Sequence, residues 1–283
     1  MQKNKLLQPF LKWAGGKRQL LPEIRKYIPK RIKKYHEPFV GAGAVLFDLQ
    51  PSEAVINDFS VELINCYIVI KDFVDDLIQC LSKHNKFKMD KQYYYHIRDL
   101  DRQETFNNLS PVEKAARIIF LNKTCYNGLF RVNSEGHFNV PFGNYNNPKV
   151  LDEILLKAIH NYLSMNDIKI LNNDFEIVVE NVKKGDFVYM DPPYDPVSDT
   201  SSFTGYNLFG FGKEDQIRLK CIFDKLSDIG AKVLLSNSNT DFILSMYKEY
   251  RIEKVTATRN INSVASGRGK IDEVLVMNYD PKV

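Results

Sequence analysis

Short apolar segments that end in an aspartate recur along this chain, and they alternate with segments of helical spacing. The acid-ended segments are AVIND (54–58), DIKILNND (167–174) and DFVYMD (186–191). A helix over 214–230, with apolar residues at helical spacing, ends at Gly230. This alternation predicts an α/β doubly wound sheet, in which ligands bind outside the carboxyl ends of the strands. We therefore expect Asp58, Asp174 and Asp191 at one edge of the sheet.

The remaining segments extend this sheet and place an insert within it. Further strands are predicted at 35–40, 231–237, 251–258 and 272–279, with a helix at 240–250. Between about 60 and 165 the pattern becomes helical, and Ser110 with Glu113 forms a capping box. The segment 124–148 is rich in Asn, Gly and aromatic residues, which favours a hairpin. We predict a core of residues 1–59 and 166–283 and an insert of residues 60–165.

Composition excludes several classes of protein. The chain has 283 residues and a formal net charge of +4, which permits a polyanionic partner without establishing one. No run of about eighteen apolar residues indicates a membrane span, and the N-terminus lacks the apolar region of a signal peptide. The four cysteines are scattered without a C-x-x-C pair. This pattern predicts reduced thiols in a cytoplasmic protein and no metal site.

A glycine turn in EPFVGAGAV (37–45) joins a predicted strand to a helix. Such a turn lets a nucleotide approach a helix N-terminus, although alone it can also serve only to pack a helix on a strand. Asp58 follows Gly43 by fifteen residues, at the end of the next strand, where a carboxylate can bind a ribose diol. Because position 46 is Leu, the third glycine of a dinucleotide site is missing. The pattern favours another nucleoside-bearing cofactor.

The tetrapeptide Asp191-Pro192-Pro193-Tyr194 ends a predicted buried strand. An exocyclic amine such as N6 of adenine is a poor nucleophile, because its lone pair is delocalised into the ring. A carboxylate and a proline-held carbonyl can accept its two N–H bonds and direct the lone pair at an electrophilic methyl group. Tyr194 offers a face on which the base can stack. The alternative, a simple turn with a rim aromatic, does not account for the buried strand that precedes it.

The N-terminal segment FLKWAGGKRQLL (10–21) contains Trp13, the only tryptophan. A single Trp is commonly a packing residue. Here Lys12, Lys17 and two glycines flank it, which indicates a loop over a ligand with the indole stacked on a purine.

These motifs together resemble the Dam family of DNA adenine-N6 methyltransferases, and among them the methylases of GATC restriction–modification systems. The resemblance spans Leu6 to Tyr279 and rests on FLKWAGGK, EPFVGAGAV, NDF, NNDF, DPPY and CYNGLFRVN…FNVPFG, which occur in the family's order. It implies a Rossmann-like SAM-dependent methyltransferase core with a mostly helical target-recognition insert. The implied reaction transfers a methyl group from S-adenosylmethionine to N6 of a flipped adenine in double-stranded DNA, at GATC.

The resemblance also implies the residues of three sites. The catalytic residues would be Asp191, Pro192, Pro193 and Tyr194. S-adenosylmethionine would be bound by Trp13, Lys17, Phe39, Gly41, Gly43, Asp58, Asp174, Phe175 and Asp191. DNA would be bound by Lys12, Tyr126, Asn127, Leu129, Arg131, Asn133 and Pro141.

Residue chemistry supports the third group. Arg131 can form a bidentate pair with guanine in the major groove. Tyr126 and Asn127 suit the gap that a flipped base leaves, and Leu129 and Pro141 offer apolar contacts to base edges. For any one of these residues, packing within its own hairpin is the alternative.

Two other functions remain open on the sequence alone. The chain could methylate another planar amine or amide, such as RNA adenine or protein glutamine, or it could be an inactive DNA-binding relative. We further expect a loop at 195–212 over the bound base and a phosphate-contacting basic loop at 260–270. We expect a monomer. The sequence leaves open whether a cognate restriction endonuclease acts on the same site without forming a stable complex.

Overall fold

The computed structural model describes residues 3–196, 210–258 and 270–281. Most of the two predicted loops, 195–212 and 260–270, lies outside these ranges.

Strands and helices alternate through much of the described chain. The strands are β1 (Tyr35–Glu37), β2 (Glu53–Asn57), β3 (Asp167–Leu171), β4 (Phe187–Met190), β5 (Lys232–Ser238), β6 (Arg251–Thr258) and β7 (Lys270–Met277). The helices are α1 (Leu21–Ile24), α2 (Ala44–Leu49), α3 (Val61–Asp72), α4 (Val74–Asn85), α5 (Lys91–Arg98), α6 (Pro111–Thr124), α7 (Glu153–Met165), α8 (Phe175–Val179), α9 (Lys213–Ile229) and α10 (Asp241–Met246).

The seven strands form one sheet in the order β3-β2-β1-β4-β5-β7-β6. β1 runs parallel to β2 and β4, and β4 runs parallel to β5, whereas β7 is antiparallel to both β5 and β6. The predicted α/β doubly wound sheet is therefore confirmed. Because β2 and β4 share a direction, their last residues, Asn57 and Met190, lie at the same edge, and Asp58 and Asp191 follow them. Asp174 differs from the prediction, since β3 ends at Leu171 and Asp174 instead caps α8.

Contacts divide the chain into two compact units. The first, called here the sheet unit, comprises residues 17–40, 53–57 and 173–283. Its core lies between the sheet and helices α8 to α10, where Leu219 and Phe223 of α9 pack with Val188 of β4 and Val233 of β5. All four residues of β4 are buried, as expected of a central parallel strand.

The second, called here the helical unit, comprises residues 1–16, 41–52 and 58–172. Leu63 of α3, Phe120 of α6 and Ile159 of α7 are fully buried in it. The predicted capping box of Ser110 and Glu113 is present at the start of α6. The helical segment that follows Ser60 is two helices, because Phe73 leaves helical geometry at φ −136° and ψ 39°. The predicted core and insert stay a prediction, since compactness does not assign function.

The segment after α6 has the backbone pairing of an irregular antiparallel hairpin. Cys125 bridges Phe142 and Val132 bridges Phe138, both in antiparallel register. The Tyr94 hydroxyl of α5 donates to the Val140 carbonyl at 2.8 Å and so ties the hairpin to the helices of the same unit.

Gly43 marks the turn into α2, where only glycine fits. Its φ is +76°, and an added Cβ would lie 2.6 Å from the Tyr67 hydroxyl oxygen and 2.9 Å from the Phe47 ring. The Tyr67 hydroxyl is held in place because it donates to the Gly41 carbonyl at 3.0 Å. Backbone conformation and close packing thus exclude a side chain at this position.

We expect Gly43→Ala to lower the free energy of unfolding by about 2–5 kcal/mol, because left-handed backbone costs about 1–2 kcal/mol and overpacking about 1–3 kcal/mol. The control is Gly136→Ala, where φ is +83° but no atom lies within 4 Å of an added Cβ. Urea denaturation should show a loss of about 1–2 kcal/mol for this control. Equal losses in the two variants would contradict the close-packing argument.

Candidate active site

Asp191 is held at the carboxyl end of β4 by two donors that reach the same oxygen. Lys17 Nζ lies 2.7 Å from Asp191 Oδ1, and the Ser236 hydroxyl donates to that oxygen at 2.9 Å. Lys17 comes from the short 3-10 turn before α1, and Ser236 from β5, the parallel neighbour of β4. No described residue is hydrogen-bonded to Oδ2, which is the oxygen available to a ligand.

The surroundings of Asp191 act on its pKa in opposite directions. Burial raises this pKa above its ordinary value, because a charged carboxylate loses hydration, and the nearby Glu273 adds to the rise. The Lys17 ammonium and the Ser236 hydroxyl oppose it by stabilising the charged form. Since the carboxylate side chain is only 16% exposed, its ionised state depends on these two partners.

Tyr194 is oriented by a carboxylate and a cation. Its hydroxyl donates to Glu273 Oε2 at 2.8 Å, and Lys17 Nζ lies 4.6 Å from its ring centroid. Burial, followed by the charges of Asp191 and Glu273, raises the pKa of Tyr194 well above its ordinary value. The phenol therefore stays protonated and remains a donor to Glu273.

The two prolines lead into a segment that the neighbouring elements hold in place. The Pro193 carbonyl accepts a bond from Gln216 Nε2 of α9 at 2.8 Å, and Gln216 Oε1 accepts one from Asn237 Nδ2 at 3.0 Å. The Asp195 side chain accepts from the Thr240 hydroxyl at 2.7 Å. The backbone after Asp191 is thus fixed by side chains of α9, β5 and the start of α10.

Phe39 and Phe175, two predicted cofactor residues, lie together in the sheet unit. Their ring centroids are 5.4 Å apart, and each lies 5.8 Å from the ring of Phe211. Asp174 caps α8 and pairs with Arg218, whose guanidinium lies 4.9 Å from the Phe175 ring centroid. This aromatic group can hold a planar ring, and Asp174 supplies an acceptor beside it.

Asp58 lies in the helical unit and closes the glycine turn. Its Oδ2 accepts from the Gly41 N–H and its Oδ1 from the Ser60 N–H, both at 3.0 Å. Burial raises the pKa of Asp58, and these backbone bonds oppose the rise. Each oxygen keeps a further lone pair for a ligand hydroxyl.

Trp13 is stacked on an aromatic residue of the hairpin. Its ring is 4.7 Å from that of Phe130, at an interplanar angle of 27°. A Cβ on Gly41 would lie 3.4 Å from its Cδ1 atom, so the indole lies against the glycine turn. The predicted stacking on a purine stays a prediction, and the structure adds Phe130 as the partner on one face.

The predicted DNA-binding residues mostly lie on the exposed side of the hairpin. Tyr126, Asn127, Arg131 and Pro141 are exposed, and Asn127 has a left-handed φ of 57°. Asn133 Oδ1 caps the hairpin's turn by accepting from the N–H groups of residues 135 and 137.

Four of these predicted residues are held by partners within the helical unit. Arg131 is held by Asn139, with Nε 2.7 Å from Oδ1 and Nη2 3.3 Å from the carbonyl oxygen. The Lys12 N–H donates to Asn122 Oδ1 at 3.0 Å and the Lys12 carbonyl accepts from Asn122 Nδ2 at 2.8 Å. Lys12 Nζ lies 5.6 Å from the Tyr145 ring centroid. The Leu129 carbonyl accepts from Cys125 Sγ at 3.2 Å and the Pro141 carbonyl from the Tyr126 N–H at 2.8 Å.

The structure thus brings Lys17, Asp191 and Tyr194 together in the sheet unit, and Trp13, Gly41 and Asp58 together in the helical unit. Sequence reasoning missed three candidates in the sheet unit, namely Ser236, Glu273 and Gln216. A signal existed for two of them, because Ser236 and Glu273 are polar residues within apolar strand segments. Nothing in the spacing of Gln216 sets it apart.

A doubly wound sheet whose central strand ends in an acid, two prolines and an aromatic ring is typical of α/β proteins that bind ligands at the carboxyl edge of the sheet. The chain belongs to the family of D12 class N6 adenine-specific DNA methyltransferases, which it matches over residues 13–261. The predicted enzyme class is therefore confirmed, and DNA is the substrate that this family implies.

Three relatives each match nearly the whole chain. Type II methyltransferase M1.LlaDCHI of Lactococcus lactis subsp. cremoris is 48% identical over 280 residues, covering 99% of this chain and 98% of the relative. Type II methyltransferase M.MjaIII of Methanocaldococcus jannaschii is also 48% identical, over 290 residues, with coverage of 96% and 99%. The DNA adenine methylase of Escherichia coli strain K12 is 34% identical over 290 residues, with coverage of 100% and 98%.

Two further findings concern the described part of the chain. No described helix has the length and apolar character needed to cross a lipid bilayer. Within the same residues, no three or more His, Cys, Asp or Glu side chains are grouped so as to hold a metal ion.

We expect Lys17→Met to destabilise the protein by about 3 kcal/mol near neutral pH, because it leaves a buried carboxylate without its cation. The loss should shrink towards acid. Removing Lys17 raises the folded-state pKa of Asp191 further above its ordinary 3.8. The folded variant therefore favours the protonated carboxyl, and it loses stability as pH rises from that ordinary value through the raised folded-state pKa. Denaturation at about pH 4 and about pH 7 measures both effects.

The control for this prediction is Lys26→Met, which removes an exposed lysine paired with Glu23. This variant should change stability little at either pH. A deficit in Lys17→Met that does not depend on pH would contradict the proposed dependence of Asp191 on Lys17.

Proposed function

We propose that this protein transfers a methyl group from S-adenosylmethionine to N6 of an adenine flipped out of double-stranded DNA, at GATC. The observation that carries the proposal is the geometry of Asp191. Its Oδ1 is anchored by Lys17 and Ser236, and its Oδ2 remains available at the carboxyl end of a central strand. Membership of an N6 adenine-specific family supplies the substrate class.

The amine requires the chemistry that this arrangement can provide. In free adenine the N6 lone pair is conjugated with the ring, so the nitrogen attacks poorly. Asp191 Oδ2 and the Pro192 carbonyl would each accept an N6–H bond and draw the nitrogen towards tetrahedral geometry. Tyr194 would hold the base plane with the ring face that Lys17 does not cover. Flipping is needed because N6 in a duplex is engaged in base pairing.

The residues fit S-adenosylmethionine as the methyl donor, which when bound supplies an electrophilic methyl group. In the sheet unit, Phe39 and Phe175 offer aromatic faces for its adenine, Asp174 an acceptor, and Lys17 and Asp191 further polar contacts. In the helical unit, Asp58 keeps lone pairs for the ribose hydroxyls, and Trp13, Gly41 and Gly43 form or border the turn.

For DNA, we propose that the exposed side of the hairpin reads the target sequence. Arg131 is the reader of a guanine, because Asn139 engages Nε and one N–H of Nη2, which leaves Nη1 and the other N–H of Nη2 for a bidentate contact. Tyr126 and Asn127 would occupy the gap left by the flipped base, Leu129 and Pro141 would meet base edges, and Lys12 and Asn133 would complete the contact.

The biological setting that we propose follows the relatives. Two of them are named Type II methyltransferases, which favours a role beside a restriction endonuclease that cleaves the same site. We propose that the chain acts as a monomer in the cytoplasm, without a stable complex with that endonuclease.

We expect Asp191→Ala to reduce methyl transfer by at least about 100-fold, because the N6 amine loses its carboxylate acceptor. Radiolabelled methyl transfer to GATC duplex, to RNA and to protein should give product only with the duplex. DNA binding should persist in the variant and report that it is folded. Asp228→Ala, a change at an exposed acid of α9, is the control. Equal labelling of RNA or protein by the wild type would contradict the proposed specificity for DNA.

We expect Arg131→Ala to lose discrimination at a guanine of the site, worth about 1–3 kcal/mol in relative rate. The measurement compares transfer rates on duplexes in which each outer base pair of GATC is replaced in turn. Non-specific, salt-dependent binding should change less, since phosphate contacts dominate it.

Arg251→Ala, at an arginine of β6 that is paired with Glu253, is the control for this prediction. If Arg131→Ala slowed methyl transfer equally on every duplex, Arg131 would contact the DNA backbone and would not read a base.

A further inference from the structure

We propose that Ser236 is a positioning residue for the reaction, which fixes the carboxylate of Asp191 so that Oδ2 faces the amine. This inference rests on the proposed function and adds to it a residue of β5 that no motif identifies.

The geometry places Ser236 where it can orient the carboxylate. Its hydroxyl lies 2.9 Å from Asp191 Oδ1, and Lys17 Nζ reaches the same oxygen at 2.7 Å. Two donors from two separate elements therefore converge on one oxygen. A carboxylate held in this way cannot exchange its two oxygens by rotation without breaking both bonds.

The direction of the hydrogen bonds follows from charge. An ionised carboxylate has no proton, so Ser236 must donate to Asp191. The Tyr189 hydroxyl lies 3.0 Å from Ser236 Oγ and, with the serine proton already engaged, is the donor of that pair. Both Tyr189 and Ser236 are 0% exposed, so water does not compete for these bonds. The result is a chain from Tyr189 through Ser236 to Asp191, in which each bond strengthens the next.

Ser236 also acts on the charge state of Asp191. The titratable groups facing Asp191 are Lys17, Tyr189, Tyr194 and Glu273. Among them Lys17 favours the charged carboxylate and Glu273 disfavours it, while the serine hydroxyl adds to the effect of Lys17. Loss of the hydroxyl should therefore raise the pKa of Asp191, and a reaction that needs the carboxylate should then require higher pH.

The chain offers a matched control. Ser238 lies two residues further along β5, on the same face, and is 1% exposed. Its hydroxyl donates to the Asp195 carbonyl at 2.7 Å and does not contact Asp191. Ser238→Ala thus removes an equally buried hydroxyl from the same strand.

The test measures single-turnover methyl transfer to a GATC duplex across a range of pH for the wild type, Ser236→Ala and Ser238→Ala. Near neutral pH we expect Ser236→Ala to be slower by about tenfold, with the affinities for S-adenosylmethionine and DNA unchanged. Its acidic limb should move to higher pH, because the carboxylate must be ionised. The profile of Ser238→Ala should coincide with that of the wild type.

Tyr189→Phe serves as a second variant that keeps the serine. Because it removes the donor behind Ser236, it should move the acidic limb in the same direction by a smaller amount, even if Ser236→Ala proves unstable. Absence of transfer by the wild type would overturn the proposed function and this inference with it. Transfer by the wild type, with Ser236→Ala and Tyr189→Phe both matching Ser238→Ala, would overturn only the role of Ser236.

Discussion

The ion pair between Lys17 and Asp191 is the interaction on which the sheet unit's candidate site depends. Burial alone would favour a neutral carboxyl at Asp191, and the nearby Glu273 pushes in the same direction. Lys17 opposes both, and the same ammonium lies over the ring of Tyr194. One side chain from the N-terminal segment therefore sets the charge of the acid and covers one face of the ring. A neutral residue at position 17 could not stabilise that charge.

The sheet and the location of its functional edge could be predicted from sequence, because both depend on local patterns. Apolar strand segments alternating with helices fix the α/β class, and an acid after a strand in a parallel sheet must lie at the carboxyl edge. Asp58 and Asp191 follow from this rule. Asp174 does not, because β3 ends at Leu171 and two further residues precede the acid. Boundaries of this kind depend on pairing partners that the local pattern does not contain.

Side-chain partners were less predictable, since they come from distant segments. The donors to Asp191 are 174 residues before it and 45 residues after it, at Lys17 and Ser236. The pairing of Arg131 with Asn139 and the stacking of Trp13 on Phe130 likewise depend on how the hairpin folds. The residue types alone predicted that Arg131 contacts a base and that Trp13 stacks on a purine. Their partners required the folded chain, because periodicity identifies a face of an element and not what that face meets.

The antiparallel placement of β7 has a consequence for the order in which the site is built during synthesis. Because β7 runs opposite to β5, its first half lies at the carboxyl edge, where Glu273 is in register with Ser238. A residue so late in the chain thus supplies the acceptor for Tyr194. A nascent chain emerging from the ribosome has Lys17, Asp191 and Ser236 long before it has Glu273. The phenol gains its anchor only after almost every other element of the sheet has been translated, so a chain released before β7 would carry an unanchored ring beside Asp191.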